Sequence, residues 1–378
     1  MGDQYPRLRV AAVQAAPVFL NREASVEKAC RLIREAGAGG AKVIGFPEGF
    51  IPGHPLWYHF RPATDATSNH LAARLFANSV TVPGRETEQL AEAARAAGAY
   101  VVMGLCEKMS GTFGTMFNAQ VFFGPDGRIV GKHQKLVPTV GERLVHTGGY
   151  GDTIGAVETE YGRIGGLICG ESLNPLLIFS LLAEQTQIHV ISWPSRFQKG
   201  GTCCPERALL SGRAVAAMSK SFVINCIGAM SDEMCDVLAY TDEDKAILAD
   251  PSASGGSSVL NPGGNVIAGP LGHEEGILYA DIDLAEGVQA KIEHDFAGHY
   301  NRPDVFHVTL NTRRPLIYTR EGMPLADADN AQAGKATTDN EQAQASSEIL
   351  ANGVGRCASE GASGVTTESR GRCRRDVY

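Results

Sequence analysis

The chain has 378 residues, 43% of them apolar, and a formal net charge of −8. That is enough apolar content for a substantial core, with no basic excess to favour nucleic acid or an anionic membrane surface. Apolar runs such as YVVMGL and SFVINCIGAM fall far short of the ~20 residues a membrane helix needs, and the N-terminal stretch has no basic segment leading into an apolar signal core. A cytoplasmic protein without membrane or nucleic-acid partners is expected. The nine cysteines are an odd number without C-x-x-C pairs and are expected to be reduced thiols. Cys203 and Cys204 have no His or Cys at ligand spacing, so they read as a loop or the start of a helix and no metal is expected.

In chain order, short β-like runs are predicted at 8–15, 41–46, 99–106, 118–123, 128–133, 163–169, 187–193, 221–226, 257–261, 265–269 and 276–282, from apolar alternation and β-branched content. Helical patterns fall at 22–37, 86–97, 174–185 and 205–219. Two pairs of strands are joined tightly through GPDGR and NPGGN, which is hairpin chemistry. A phosphate loop would need a G-x-x-x-x-G-K-[ST] pattern that is absent. Hairpins mixed with strand–helix alternation imply sheets with both parallel and antiparallel neighbours, covered by helices. One domain is predicted over 1–322. Beyond it, 323–378 is poor in large apolar residues and ends on the basic RGRCRR; such a segment cannot bury enough surface to offset chain entropy, and a disordered tail is expected.

Three stretches put a polar group where an apolar strand ends, the place where α/β folds usually keep their sites. In RIGGLICGES the strand stops on Cys169, Gly170 and Glu171. The thiol could be a packing residue, but a helix N-terminus capped by Ser172 or Asn174, with Pro175 in its first turn, would acidify it with the help of a lysine. Glu171 is read as structural. In VIGFPEGFIPGHPLW, Glu48 lies among Phe46, Phe50, Ile51, Leu56 and Trp57; burial there would raise its pKa and make it a proton shuttle near neutral pH. In GKHQKLVPTVGER, Lys132, His133, Lys135, Glu142 and Arg143 flank a proline turn. An ordinary solvated loop fits that spacing as well as a pocket lysine that stabilises anionic charge, with Glu142 as its counter-charge.

These residues carry a resemblance. FPEGFIPGHPLW resembles the glutamate block, KHQKLVPTVGERLV the lysine block and GGLICGESLNPL the cysteine block of the nitrilase branch of the nitrilase superfamily of carbon–nitrogen hydrolases, in the right order. EQTQIHVISWP and DFAGHYNRPDVF extend the match to about residues 8–318. The resemblance implies a four-layer α-β-β-α sandwich in the α/β class, with Cys169 as nucleophile, Glu48 as general base, Lys135 as stabiliser of substrate charge and Glu142 as the supporting fourth member, without metal or other cofactor. It implies hydrolysis of a nitrile by water to the carboxylic acid and ammonia through a thioimidate and a thioester. It also implies homodimers that extend into spirals or filaments. A nitrile or cyanide hydratase, an aliphatic amidase and a non-catalytic assembly protein are the alternatives; the last is disfavoured by Cys169. The branch most often carries a tryptophan after the cysteine, whereas this chain has Gly170, which leaves space beside the nucleophile. Trp57, Tyr58, Gly170, Trp193 and Pro194 are expected to line the substrate pocket, with core packing the alternative for the aromatic residues. Preference among aliphatic, aromatic and arylacetonitrile substrates would rest on the loops at 54–70 and 194–204. His133, His189, His273, His294 and His299 could in principle form a Cys–His dyad, but none has a protease-like context.

Overall fold

The computed structural model describes residues 3–196 and 204–315. The order is β1 (Arg7–Gln14), α1 (Arg22–Ala38), β2 (Ala41–Gly45), α2 (Ala66–Asn78), α3 (Arg85–Ala97), β3 (Tyr100–Lys108), β4 (Met116–Phe123), β5 (Ile129–Gln134), β6 (Val157–Thr159), β7 (Gly162–Ile168), α4 (Pro175–Ala183), β8 (Ile188–Trp193), α5 (Cys204–Ser219), β9 (Phe222–Ile227), α6 (Asp232–Leu238), α7 (Asp242–Ala249), β10 (Ser258–Leu260), β11 (Val266–Ala268), β12 (Gly276–Asp283) and α8 (Ala285–Glu293). Among the described residues the strands form two six-stranded sheets, ordered β12-β1-β2-β3-β4-β5 and β11-β10-β9-β8-β7-β6.

Each strand's alternation explains the layering. Val10, Ala12, Val43, Val102 and Phe122 of the first sheet meet Ile164, Ile188, Val190, Phe222 and Ile224 of the second in one core. Their neighbours on the opposite strand face, Ala11, Val13, Ile44, Val101, Met103 and Val121, pack on the apolar stripe of α1 and on α3, while Ile191, Trp193, Val223 and Ile227 pack on α4 and α5. The result is the four-layer α-β-β-α sandwich. Helix α1 starts where Asn21 accepts from the Ala24 amide at 3.1 Å, and α4 where Asn174 accepts from Leu176 N at 3.0 Å with Pro175 in the first turn, as N-cap chemistry requires. The predicted hairpins join β4 to β5 and β10 to β11, both antiparallel.

One polar strap crosses the apolar layer between the sheets. Gln120 of β4 donates from Nε2 to Ser192 Oγ at 2.7 Å and to the carbonyls of Val190 and Leu167 at 3.2 and 3.3 Å; Ser192 Oγ in turn donates to Phe46 O at 2.7 Å. Room for it exists because residue 166 is glycine: a Cβ there would stand 2.1 Å from Gln120 Oε1.

The structure departs from the sequence expectation in several places. β6, three residues long, and α2, α6, α7 and α8 were not expected; α6 and α7 span seven and eight residues, too short for a clear helical period, and α2 buries only Ser68, Leu71 and Leu75. The strand predicted to run through Cys169 ends at Ile168. Cys204 does open a helix. The expected tail, the boundary at 322, Cys203 and most of the 194–204 loop lie outside the described residues.

Candidate active site

The strand ends of both sheets converge on one buried cluster. Glu48 follows β2, and its amide donates to Trp193 O in the other sheet at 3.1 Å. Lys135 directly follows β5, Glu142 sits in the 3-10 turn Val140–Leu144, and Cys169 directly follows β7 as the first residue of the 3-10 turn Cys169–Leu173. All four side chains are buried, none with more than 3% of its surface exposed.

Lys135 Nζ lies 2.8 Å from Glu48 Oε1 and 2.7 Å from Glu142 Oε2. Asn118 Nδ2 donates to the other junction of the same pair, 2.6 Å from Glu48 Oε1 and 2.7 Å from Glu142 Oε1. Burial by itself would lower the Lys135 pKa, but the charges of Glu142 and Glu48 hold it well above its ordinary value, so the lysine is a fixed cation. The carboxylates divide. Burial raises Glu48 above its usual range; Lys135 pulls it down and the charge of Glu142 pushes it up again. Burial would raise Glu142 too, but Lys135 and a hydrogen bond from His146 hold it well below. Glu48 Oε2 is buried without a hydrogen-bond partner, leaving one basic oxygen open.

Cys169 has φ +55°, a left-handed conformation unusual for a residue with a side chain. Glu171 holds it there: its Oε1 accepts from Ile168 N at 2.8 Å and faces His133 Nε2 at 2.6 Å, while its Oε2 accepts from Leu136 N at 3.2 Å. One carboxylate thus ties the end of the Cys169 strand to the residue beside Lys135. Ser172 Oγ adds contacts of 2.5 Å to Cys169 O and to Ser211 Oγ of α5. The expected acidification of the thiol is not found. Burial, and next the charge of Glu48, push the Cys169 pKa well above its ordinary value against the opposing charge of Lys135, and α4 begins only at Pro175, beyond the first-turn reach of a helix dipole. The resting group is a thiol beside a carboxyl of raised proton affinity.

Of the five expected pocket residues, Tyr58 and Gly170 alone reach the surface. Trp57 packs edge-on against Phe19 with ring centroids 6.5 Å apart, Trp193 directs Nε1 to Asn225 Oδ1 at 3.3 Å, and Pro194 accepts from the Cys204 thiol at 3.4 Å; these three are enclosed by protein. A Cβ on Gly170 would meet only Thr139 Oγ1, at 3.8 Å. Among the histidines considered for a dyad, His133 is committed to Glu171, His189 is buried with its pKa lowered by burial to about 3, and His294 stacks on Phe296 and meets Tyr300 edge-on. Donor atoms of Glu48, His54 and Glu142 lie within 4.8 Å of one another, but one oxygen of each carboxylate is already engaged by Lys135.

Asn118, His54 and His146 were missed from sequence. The signal for Asn118 was present: in MFNAQVFF, Asn118 and Gln120 are alternate polar residues on the inward face of an otherwise apolar strand, and buried polar groups need partners.

A two-sheet α/β scaffold that gathers a thiol, a lysine and two carboxylates into one buried cluster is the class this geometry defines. Residues 9–292 match the carbon-nitrogen hydrolase family. A nitrilase from Bacillus sp. (strain OxB-1) is 36% identical over 323 residues, covering 84% of this chain and 93% of that protein, and a nitrilase from Pseudomonas syringae pv. syringae (strain B728a) is 36% identical over 324 residues, 84% and 94%. In three dimensions the crystal structure of Saccharomyces cerevisiae Nit3, a member of branch 10 of the nitrilase superfamily, superposes with a TM-score of 0.57 at 20% identity, covering 77% of this chain and 95% of that one. The chain belongs to the carbon-nitrogen hydrolase family, and within it to the nitrilase branch.

Proposed function

We propose that the protein is a nitrilase that converts an organic nitrile to its carboxylic acid and ammonia. The observation that carries this reading is the open Oε2 of Glu48 on a carboxyl of raised proton affinity, beside a thiol that burial keeps protonated and a lysine that burial has not discharged. Glu48 takes the Cys169 proton as sulfur bonds to the nitrile carbon, then delivers it to nitrogen, giving a thioimidate. Glu48 next deprotonates water, which adds to that carbon. Protonation of nitrogen breaks the C–N bond, ammonia leaves, and a second water hydrolyses the thioester to release acid and thiol. Lys135 stabilises the negative charge that develops at each addition, and Glu142 keeps Lys135 charged and oriented.

The surroundings fit this role. Gly170 leaves space beside sulfur, which suits nitriles with bulk next to the reacting carbon. Exposed Leu173, Leu176 and Leu210 give the α4–α5 layer an apolar surface of the kind homo-oligomers bury, and a nucleophilic thiol suits a reducing, cytoplasmic setting. Incubation with a nitrile panel, with ammonia and acid followed and the adduct trapped for intact mass, tests the reading: turnover of at least one nitrile is expected, and Cys169→Ala should give neither ammonia nor adduct. Amide as the main product would replace it with a hydratase, and full turnover by Cys169→Ala would overturn the mechanism. Size-exclusion chromatography and electron microscopy read the assembly.

A further inference from the structure

Two carboxylates face one lysine in this site, and near-equivalent neighbours would share a proton between them. The donors common to both do not distinguish them: Lys135 stands 2.8 Å from Glu48 and 2.7 Å from Glu142, and Asn118 2.6 and 2.7 Å. The asymmetry comes from what remains. Glu142 has two further donors, the main-chain amide of Thr139 at 2.8 Å from Oε2 and His146 Nδ1 at 3.3 Å from Oε1. Glu48 has a histidine in the corresponding place, but His54 Nδ1 stands off at 3.7 Å, beyond hydrogen-bonding range, and both it and Glu48 Oε2 are buried without partners.

We propose that His146 is a positioning residue that decides which carboxylate carries the proton: its hydrogen bond fixes Glu142 as the permanent counter-charge of Lys135 and thereby reserves proton transfer for Glu48. The proposal deepens the reading above and rests on its assignment of Glu48 as base. To serve an ionised carboxylate, Nδ1 must carry the imidazole proton, which leaves Nε2 as the bare nitrogen; Nε2 is buried and without a partner, so no competing acceptor imposes the other tautomer. The main chain fixes the ring in place, because His146 N donates to Glu142 O at 2.9 Å. The charged and titratable groups that act on Glu142 are Lys135, His54 and His146, Glu48, His59 and the buried thiols of Cys106 and Cys169; burial lowers His59 to about 4 and raises both thiols, so none of these three adds a charge. Burial lowers His54 to about 3, with Lys135 and His146 opposing its charged form and Glu142 favouring it. His54 is therefore neutral over the working range, and with Nδ1 out of hydrogen-bonding range of Glu48 and without a partner it does not replace the donor that Glu142 loses if His146 is removed. Without the His146 bond the ionised state of Glu142 loses a donor, its proton affinity rises toward that of Glu48, and protonated Glu142 releases its hold on Lys135.

The test compares pH profiles of kcat and kcat/KM on a turned-over nitrile for wild type, His146→Leu and His146→Asn, with Glu48→Gln as a control and thermal melts to confirm folding. Asn places an amide nitrogen close to the position of Nδ1. In His146→Leu the acid limb should move to higher pH by about one unit, the size of effect that loss of a hydrogen bond to a charged form gives. Below the wild-type limb kcat should fall about tenfold, with KM changed less than twofold. His146→Asn should return the limb toward wild type. Coincident acid limbs for His146→Leu and wild type, or a shifted limb that His146→Asn leaves unrestored, overturn the proposal. If His146→Leu does not fold, the Asn variant and a His146→Gln variant, whose amide lies nearer the position of Nε2, decide it: the proposal requires Gln to shift the limb and Asn not to. Turnover by Glu48→Gln would instead defeat the underlying assignment of the base, whatever the His146 variants do.

Discussion

The two sheets bring different kinds of order to the same cleft. The sheet that ends in Glu48 and Lys135 holds its side chains by charge: Lys135, Glu48, Glu142 and Asn118 form a closed set of contacts between 2.6 and 2.8 Å. The sheet that ends in Cys169 holds its thiol by backbone, through a left-handed φ and the bracing of Glu171. A charged cluster inside protein does not tolerate loss of its one cation, because that strands the carboxylates, whereas a thiol fixed by its main chain is replaceable without loss of the frame.

The largest effect should therefore follow Lys135→Met, which leaves two buried carboxylates facing each other: turnover is lost, and urea denaturation should show destabilisation of about 3–5 kcal/mol. Cys169→Ala, equally inactive, should stay within about 1 kcal/mol of wild type, and comparable losses in both variants would break the contrast. Within the charged sheet the carboxylates should differ in sign. Glu142, held below its ordinary range, contributes stability that is present above the unfolded-state carboxyl pKa and disappears as pH falls through the lower folded value. Glu48, raised, contributes stability that is present below the unfolded pKa and lost as pH rises through the folded one. Denaturation at neutral pH should thus find Glu142→Gln destabilised and Glu48→Gln as stable as wild type or more so, and the Glu142→Gln deficit should shrink toward acid. On the backbone-held side, Glu171→Gln keeps one acceptor and loses the charge, so kcat should fall about tenfold, in line with weakening one charged hydrogen bond. Gly166→Ala should destabilise by about 1–3 kcal/mol by displacing Gln120. Smallest of all, Gly170→Ala should leave stability within about 0.5 kcal/mol and register only in relative rates on branched and unbranched nitriles.

Sequence reached the ordered blocks and the strand ends because those are local: Glu48, Lys135 and Cys169 each follow an apolar run, and GPDGR and NPGGN mark their hairpins whatever the rest of the chain does. What it missed depends on distance. Asn118 earns its place by meeting a carboxylate 70 positions earlier and another 24 later, and His146 is one of ten histidines until the turn at Val140–Leu144 sets it against Glu142. The thiol's expected acidity failed for a related reason: a nearby lysine was foreseen, but the depth of burial and the adjacent charge of Glu48 are properties of the docked sheets. Trp57 and Trp193, expected at the pocket wall or in simple core packing, are buried, as are Glu48 and Cys169 themselves, because large indoles beside strand ends bury much area.

The sandwich is also a logic gate written into the chain. Residues up to the lysine turn carry Glu48, Lys135 and Glu142, and residues from β6 onward carry Cys169, so neither half alone has the parts of the proposed reaction. The halves are stitched together because β12, from the late half, completes the early sheet by pairing along the whole of β1, from Arg7↔Asp283 to Gln14↔Gly276. A cut in the connection between 147 and 156 would therefore yield two silent fragments whose regained turnover on mixing reports the docking of one sheet on the other.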